Sequence, residues 1–255
     1  MSAPLHPDFL RLPIAHRALH DRAAGRPENS RAAIRAAVAA GYAIEIDLQL
    51  SSDGVAMVFH DETLDRLTTA TGWVQDHRAA DLGAIQLRDA ADGIPTLTEV
   101  LDIVAGTVPL LIEVKDQTLV PAGRIGPLEA ATATALAGYP GPVALMSFNP
   151  DSVAELAHLC PTLPRGLTTG SYDPAEYAPI PPALCDRLRD IPDYERTQSS
   201  FISHEAADLT RPRVAELKAQ GAAILCWTIR SPEAEAEAHK IAQNITFEGY
   251  AAPFP

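Results

Sequence analysis

Cysteine is scarce: the chain of 255 residues has three, Cys160, Cys185 and Cys226, with no C-x-x-C spacing, so neither a disulfide framework nor a thiolate zinc site is expected. Basic residues are also few, 20 Lys and Arg against 33 Asp and Glu, and the resulting charge of -13 disfavours nucleic acid and anionic membrane surfaces as partners. A local basic pocket for one phosphate remains compatible with that field. No apolar run approaches the ~20 residues of a membrane span, which excludes stable insertion as a helix. The N-terminal stretch MSAPLHPDFLRLPIAH lacks the basic start and apolar run of a signal peptide, and a cytoplasmic location is expected. No glycine fingerprint follows the first aliphatic run, which argues against an open dinucleotide-binding sheet.

What the chain does have is apolar bulk, 47% of its residues, enough to bury a full core. Short aliphatic runs alternate with alanine-rich helical ones, as when parallel strands are joined by crossover helices. The spacing predicts strands at 12–16, 43–50, 109–115, 142–148, 164–170, 201–206, 222–229 and 244–249, with a hairpin-like run at 55–60 after the turn SSDG. Helices are predicted at 30–41, 96–106, 128–138, 151–159, 211–221 and 231–243, the first capped by Ser30 and ended by Gly41. Residues 171–200 read as an elaborated connection with one short helix. The expected architecture is a (β/α)8 barrel forming a single domain over 1–255. It carries a small insertion after the second strand and a truncated final helix, and the N-terminal segment is expected to cover the gap that the truncation leaves.

Two of these strands carry charge where charge is expensive. In AIEIDLQL, Ile44, Ile46, Leu48 and Leu50 share one face while Glu45, Asp47 and Gln49 share the other. In PLLIEVKD, Leu110, Ile112 and Val114 oppose Glu113 and Lys115. Buried carboxylates are driven neutral unless a cation compensates them, so three acids and a lysine suggest a metal site beside an anion. Hard carboxylate oxygens suit Ca2+ or Mg2+ better than zinc. His16 ends the first strand and His60 closes the 55–60 run; both can serve as acid or base near neutrality. Arg17 and Lys115 supply positive charge suited to a phosphate. Each feature alone has a plainer account: an outward solvated strand face, a structural Lys115–Glu113 ion pair, ordinary hydrogen-bonded histidines. Six ionisable residues at strand ends of separate segments favour a shared mouth.

The runs AHRA (15–18), PENS (27–30), EID (45–47), FHDETLDRLT (59–68), LIEVK (111–115), SFNP (147–150) and CWTI (226–229) resemble those of glycerophosphodiester phosphodiesterases, in order across almost the whole chain. The resemblance implies hydrolysis of a small-molecule glycerophosphodiester to glycerol 3-phosphate and an alcohol, by way of a cyclic phosphate. It implies His16 and His60 as the acid/base pair, Glu45, Asp47 and Glu113 as ligands of the divalent metal, and Arg17 and Lys115 as the phosphate's hold. The chain departs from the family pattern at Ala18, where glycine is usual, in the modestly extended loop LHDRAAGR before PENS, and at NITFEG in the last strand; none of the three is expected to touch a catalytic position, and they bear on substrate choice rather than reaction class.

Other readings complete the expectation. Trp227, inward with Leu225 and Ile229, packs on the substrate's glycerol or fills the core. Asn29 caps the first helix and orders its loop, Glu28 orients the His16–Arg17 pair, and Asp61 supports His60 or begins the next turn. Ser203, His204 and Glu205 are candidates to meet the leaving alcohol, and His158 and His239 sit on solvated helix faces. Two rivals to the phosphodiesterase are a phospholipase D-like enzyme cutting lysophospholipid headgroups, with 171–200 supplying an apolar channel, and a non-catalytic barrel binding phosphorylated metabolites. Headgroup, calcium against magnesium, the order in which the histidines act and the oligomeric state are written in no motif of this chain.

Overall fold

The computed structural model of the chain describes residues 3–115 and 125–255. Its strands and helices run β1 (Ile14–Ala15), α1 (Arg31–Ala40), β2 (Ala43–Leu50), β3 (Ala56–Val58), α2 (Ala79–Ala84), α3 (Leu97–Val104), β4 (Leu110–Val114) and α4 (Pro127–Leu136). They continue with β5 (Val143–Ser147), α5 (Pro150–Leu159), β6 (Arg165–Thr169), α6 (Pro182–Arg189), β7 (Phe201–Glu205), α7 (Pro212–Ala219), β8 (Ala223–Ile229), α8 (Pro232–Ala238) and β9 (Asn244–Phe247). All strand pairings are parallel except β2 with β3, and β1 closes the ring by pairing with both β2 and β9. Setting β3 aside leaves a closed (β/α)8 barrel.

The helices form where the sequence caps them. Ser30 accepts from the amide of Ala33 and opens α1; Gly41, at φ 81°, ends it in the left-handed conformation that a β-carbon would strain. Thr96 and Glu99 make a reciprocal capping box on α3. Outward strand residues such as Ile44, Ile46, Leu48, Leu110, Ile112 and Val114 pack beneath these helices in one continuous core. Inward residues nearer the strand starts, among them Ala43, Leu111, Ala144, Phe201 and Leu225, fill the barrel interior. The insertion between β2 and α3 carries β3 and α2 around a small core of its own, with Phe59, Leu64, Val74 and Leu82 fully or almost fully buried.

Several expectations change. The N-terminal segment does not cover the missing last helix; Phe9 turns into the barrel interior and is fully buried there, held by Asn244 Nδ2, which donates to the carbonyls of Phe9 and Leu12 at 2.8 and 2.7 Å. Burying such a ring stabilises by roughly 2–3 kcal/mol. The C-terminal tail lies against the outer side instead: Phe254 stacks on Tyr42 at 4.8 Å, and the Tyr42 hydroxyl donates to the Ala252 carbonyl at 2.7 Å. Ile229 does not share the inward face of Leu225; the β8–β9 register shifts between Cys226 and Ile229, which sends Ile229 into the outer core. α8 ends at Ala238 rather than 243. The connection 171–200 carries the one expected helix, α6, and buries Tyr172, Ile180, Cys185 and Leu188 against one another rather than lining an apolar channel. All three cysteines are buried and unpaired, and burial pushes the Cys226 thiol up to about 12, so it is unreactive.

Candidate active site

Strand alternation delivers the charges to one place. Glu45 and Asp47 on β2 and Glu113 on β4 face inward, with Asp47 and Glu113 directly paired in register. Ligand oxygens of the three buried carboxylates lie within 4.8 Å of one another, a donor set that could hold a metal ion. Lys115, one residue past β4, places Nζ 2.6 Å from Glu113 Oε1 and 2.9 Å from Asp47 Oδ1. Arg17, one residue past His16, donates its backbone amide to Glu45 Oε2 at 2.8 Å and brings Nε to 3.8 Å from Asp47 Oδ2. These residues, with His16, His60 and Trp227, line one open cavity of about 170 Å³ at the C-terminal end of the barrel.

The electrostatics of the acid cluster are uneven. Burial, reinforced by Asp47 and Glu113, raises the Glu45 carboxyl well above its usual range. Burial would raise Asp47 too, but Lys115, His60 and Arg17, with a hydrogen bond from Asn29, hold it far below. Lys115 is raised above its ordinary value because Asp47 and Glu113 outweigh its burial. Mutual repulsion among the clustered carboxyls, which lifts Glu45, is what a divalent ion held by all three would relieve, and their oxygen donors fit such an ion.

Each histidine is gripped by a carboxylate. His16 Nδ1 lies 2.6 Å from Glu248 Oε2, and His60 Nδ1 lies 2.7 Å from Asp61 Oδ1. Since an ionised carboxylate only accepts, each Nδ1 carries a proton and Nε2 is the basic nitrogen of the neutral ring. Burial lowers the pKa of His16 despite the Glu248 bond. The hydrogen bond from His16, with His20 Nε2 3.5 Å away, holds the Glu248 carboxyl far below its usual range. Arg230 donates to its other oxygen at 2.8 Å. On the His60 side, Arg66 donates to both Asp61 and Glu28, and Glu28 in turn accepts from Arg17 Nη1 at 2.8 Å. Glu28 thus orients Arg17, and Asp61 supports His60, as expected.

Four expectations are corrected here. Asn29 does not cap α1, a task done by Ser30; it is buried and donates Nδ2 to Asp47 Oδ2 at 2.9 Å, orienting a carboxylate of the cluster. His204 does not reach the cavity: alternation turns it outward, where it meets Thr169 Oγ1 at 2.8 Å and Asp208. Glu205 is engaged by the Ser171 amide at 2.8 Å, outside the cavity lining, whereas Ser203 does line it. The departure at NITFEG does touch a presumed catalytic residue, since its Glu248 holds His16. That acid, one residue past β9, carried a signal close to that of Glu113, a carboxylate at the C-terminal end of a barrel strand. Arg66 lay in the quoted run FHDETLDRLT without a partner that sequence spacing could supply. Ala18 sits at φ 64° and Arg17 at φ 51°, a left-handed pair that accounts for glycine being usual at the former position. His158 is exposed on α5, as expected, whereas His239 is exposed as the C-cap just past α8 rather than on its face.

The model of the glycerophosphoryl diester phosphodiesterase family matches residues 16–247. A glycerophosphodiester phosphodiesterase of Bacillus subtilis (strain 168) is 33% identical over 138 residues, 48% of this chain and 47% of that protein. One from Caldanaerobacter subterraneus subsp. tengcongensis is 32% identical over 151 residues, 55% of this chain and 60% of that protein. The chain spans about half the length of these curated relatives. Among solved structures, an Oleispira antarctica phosphodiesterase in complex with the product sn-glycerol-3-phosphate superposes with a TM-score of 0.75 at 24% identity, covering 93% of both chains. A glycerophosphodiester phosphodiesterase from Parabacteroides distasonis ATCC 8503 gives 0.74 at 21% identity, covering 92% of both. At these identities the superpositions establish the barrel fold.

Proposed function

Since the chain belongs to the glycerophosphoryl diester phosphodiesterase family, we propose that it hydrolyses small-molecule glycerophosphodiesters to glycerol 3-phosphate and a free alcohol. It does so as a single catalytic domain over 1–255 acting in the cytoplasm; among the described residues no helix is long and apolar enough to cross a membrane. One observation carries the reading: two histidines, each gripped by a carboxylate through Nδ1, share a cavity with three clustered acids and the cations of Arg17 and Lys115.

Arg17 and Lys115 hold the phosphate, the first through its forked donors and the second as a point charge. Burial favours neutral His16, so its Nε2 takes the proton from the glycerol hydroxyl next to the phosphate as that oxygen attacks phosphorus. His60, protonated and steadied by Asp61, gives a proton to the departing alkoxide, and the first product leaves as a neutral alcohol. The cyclic phosphate that remains is opened by water with the two roles exchanged. A divalent ion, Ca2+ or Mg2+, held by Glu45, Asp47 and Glu113 would supply Lewis-acid stabilisation of charge on the phosphoryl oxygens. Asn29 and the Arg17 amide keep two of those carboxylates aimed.

Incubating the purified protein with glycerophosphocholine and glycerophosphoethanolamine, in calcium, in magnesium or with a chelator, tests this reading. Glycerol 3-phosphate should accumulate with at least one metal and stop with the chelator. No product under any metal condition would overturn it.

A further inference from the structure

The wall of the cavity across from the acids is neutral, and it holds polar atoms with no protein use. Thr168 on β6, Ser203 on β7 and Thr246 on β9 all line the cavity while being 2%, 0% and 1% exposed. Their hydroxyl oxygens are buried and, among the described residues, have no hydrogen-bond partner. A buried hydroxyl without a partner forfeits its hydration with nothing in return, so three facing one space mark a place where a ligand's polar atoms belong. Elsewhere in the fold such hydroxyls are used: Ser147 donates to the Val114 carbonyl at 2.7 Å, and Thr132 to the Leu128 carbonyl at 2.8 Å.

The surroundings narrow the chemistry. Phe148 and Trp227 line the same wall and meet edge to face at 5.6 Å between ring centres. Trp227 is fixed by its indole N–H, which donates to the Ser203 carbonyl at 3.0 Å. Hydroxyls that donate and accept, set among aromatic faces that take C–H groups, match a small polyol. Arg230, the charged side chain at this edge, is exposed and tied to Glu248.

We propose that Thr168, Ser203 and Thr246, with the rings of Phe148 and Trp227, form a neutral polyol subsite that selects phosphodiesters by the vicinal hydroxyls of an alcohol they carry. The proposal rests on the phosphodiesterase reading and deepens it by naming a substrate class. The polyol is either the glycerol retained in the product or a second polyol on the leaving side, and both present the same chemistry to this wall.

The test compares wild type with Thr168→Val, Ser203→Ala and Thr246→Val, folding being checked by circular dichroism and thermal midpoint. Three substrates serve: glycerophosphoglycerol, glycerophosphocholine, and a deoxy glycerophosphocholine lacking the glycerol's primary hydroxyl. Each variant should lose about five- to tenfold in kcat/KM where its hydroxyl is used, the equivalent of one hydrogen bond. Loss on glycerophosphoglycerol alone assigns the wall to the leaving polyol. Equal loss on glycerophosphoglycerol and glycerophosphocholine, with the deoxy analogue slow in wild type and indifferent to the variants, assigns it to the retained glycerol. Folded variants with wild-type rates on all three substrates overturn the proposal. Should wild type turn over none of them, the family reading fails separately, and calorimetric titration with glycerophosphoglycerol then decides the subsite. Binding weakened in the variants sustains it, and equal or absent binding throughout overturns it.

Discussion

The two walls of the cavity are built from opposite materials. On β1, β2 and β4 the groups that face the cavity near the rim are ionisable and each has a partner: Glu45 the Arg17 amide, Asp47 the Lys115 ammonium and Asn29, His16 the Glu248 carboxylate. From β5 to β8 the lining is Met146, Phe148, Thr168, Ser203, Trp227 and Thr228, with no charge among them. The charged wall is pre-paid with partners and rigid, which suits groups that must meet developing charge in a fixed geometry. The neutral wall has spare hydrogen-bonding capacity and rings, which suits recognition. On the proposed function, chemistry and selection are separated across one cavity.

That division can be broken at either side, and the largest effect belongs to the charged wall. His60→Ala should lower kcat by two to four orders of magnitude, the usual yield of general acid–base catalysis, while the folded state loses no more than about 1 kcal/mol because a half-exposed rim histidine packs little. Near-normal turnover in a well-folded variant removes His60 from the mechanism. Next comes Glu113→Gln, which deletes an anionic ligand and should raise the metal concentration for half-maximal activity by roughly ten- to a hundredfold. A metal-activation curve identical to wild type would reject Glu113 as a ligand.

Glu248→Gln keeps an acceptor for His16 Nδ1 but removes its charge, and a five- to tenfold fall in kcat/KM is expected, about the gap between charged and neutral acceptors. The pH profile carries the sharper signature. Glu248 raises the His16 pKa against burial, so losing its charge lowers that pKa further, and the limb that His16 governs should move to lower pH. An unmoved limb would mean that Glu248 braces Arg230 and His20 instead. The smallest effect is expected on the neutral wall itself: Trp227→Ala should raise KM a few-fold with kcat nearly intact, and a collapse of kcat there would abolish the separation of roles.

The same contrast governs how much could be read from the chain. Glu45, Asp47, Glu113 and Lys115 announced themselves because charge inside aliphatic strands has no cheap explanation, and the period of two told which way they faced. Thr168, Ser203 and Thr246 gave no such signal, since hydroxyls in strands are common and only the closed ring reveals that theirs point at one space without partners among the described residues. The barrel itself was legible from alternation, capping residues and the absence of a final helix. Where Phe9 and Phe254 ended up was not, because a single apolar residue near a terminus fits any exposed apolar surface until the layers are assembled. Asn29 misled for a local reason: an asparagine before a helix reads as its cap, and the neighbouring serine took that place while the asparagine served a carboxylate 18 positions away.

The grip of Glu248 on His16 joins positions 232 apart in the chain. Contacts of that span carry the full entropy of closing the loop between them, so they form late. During synthesis His16 therefore stands without this partner until β9 has emerged, and the site to which proton transfer is assigned in the proposal is complete only once the ring has closed.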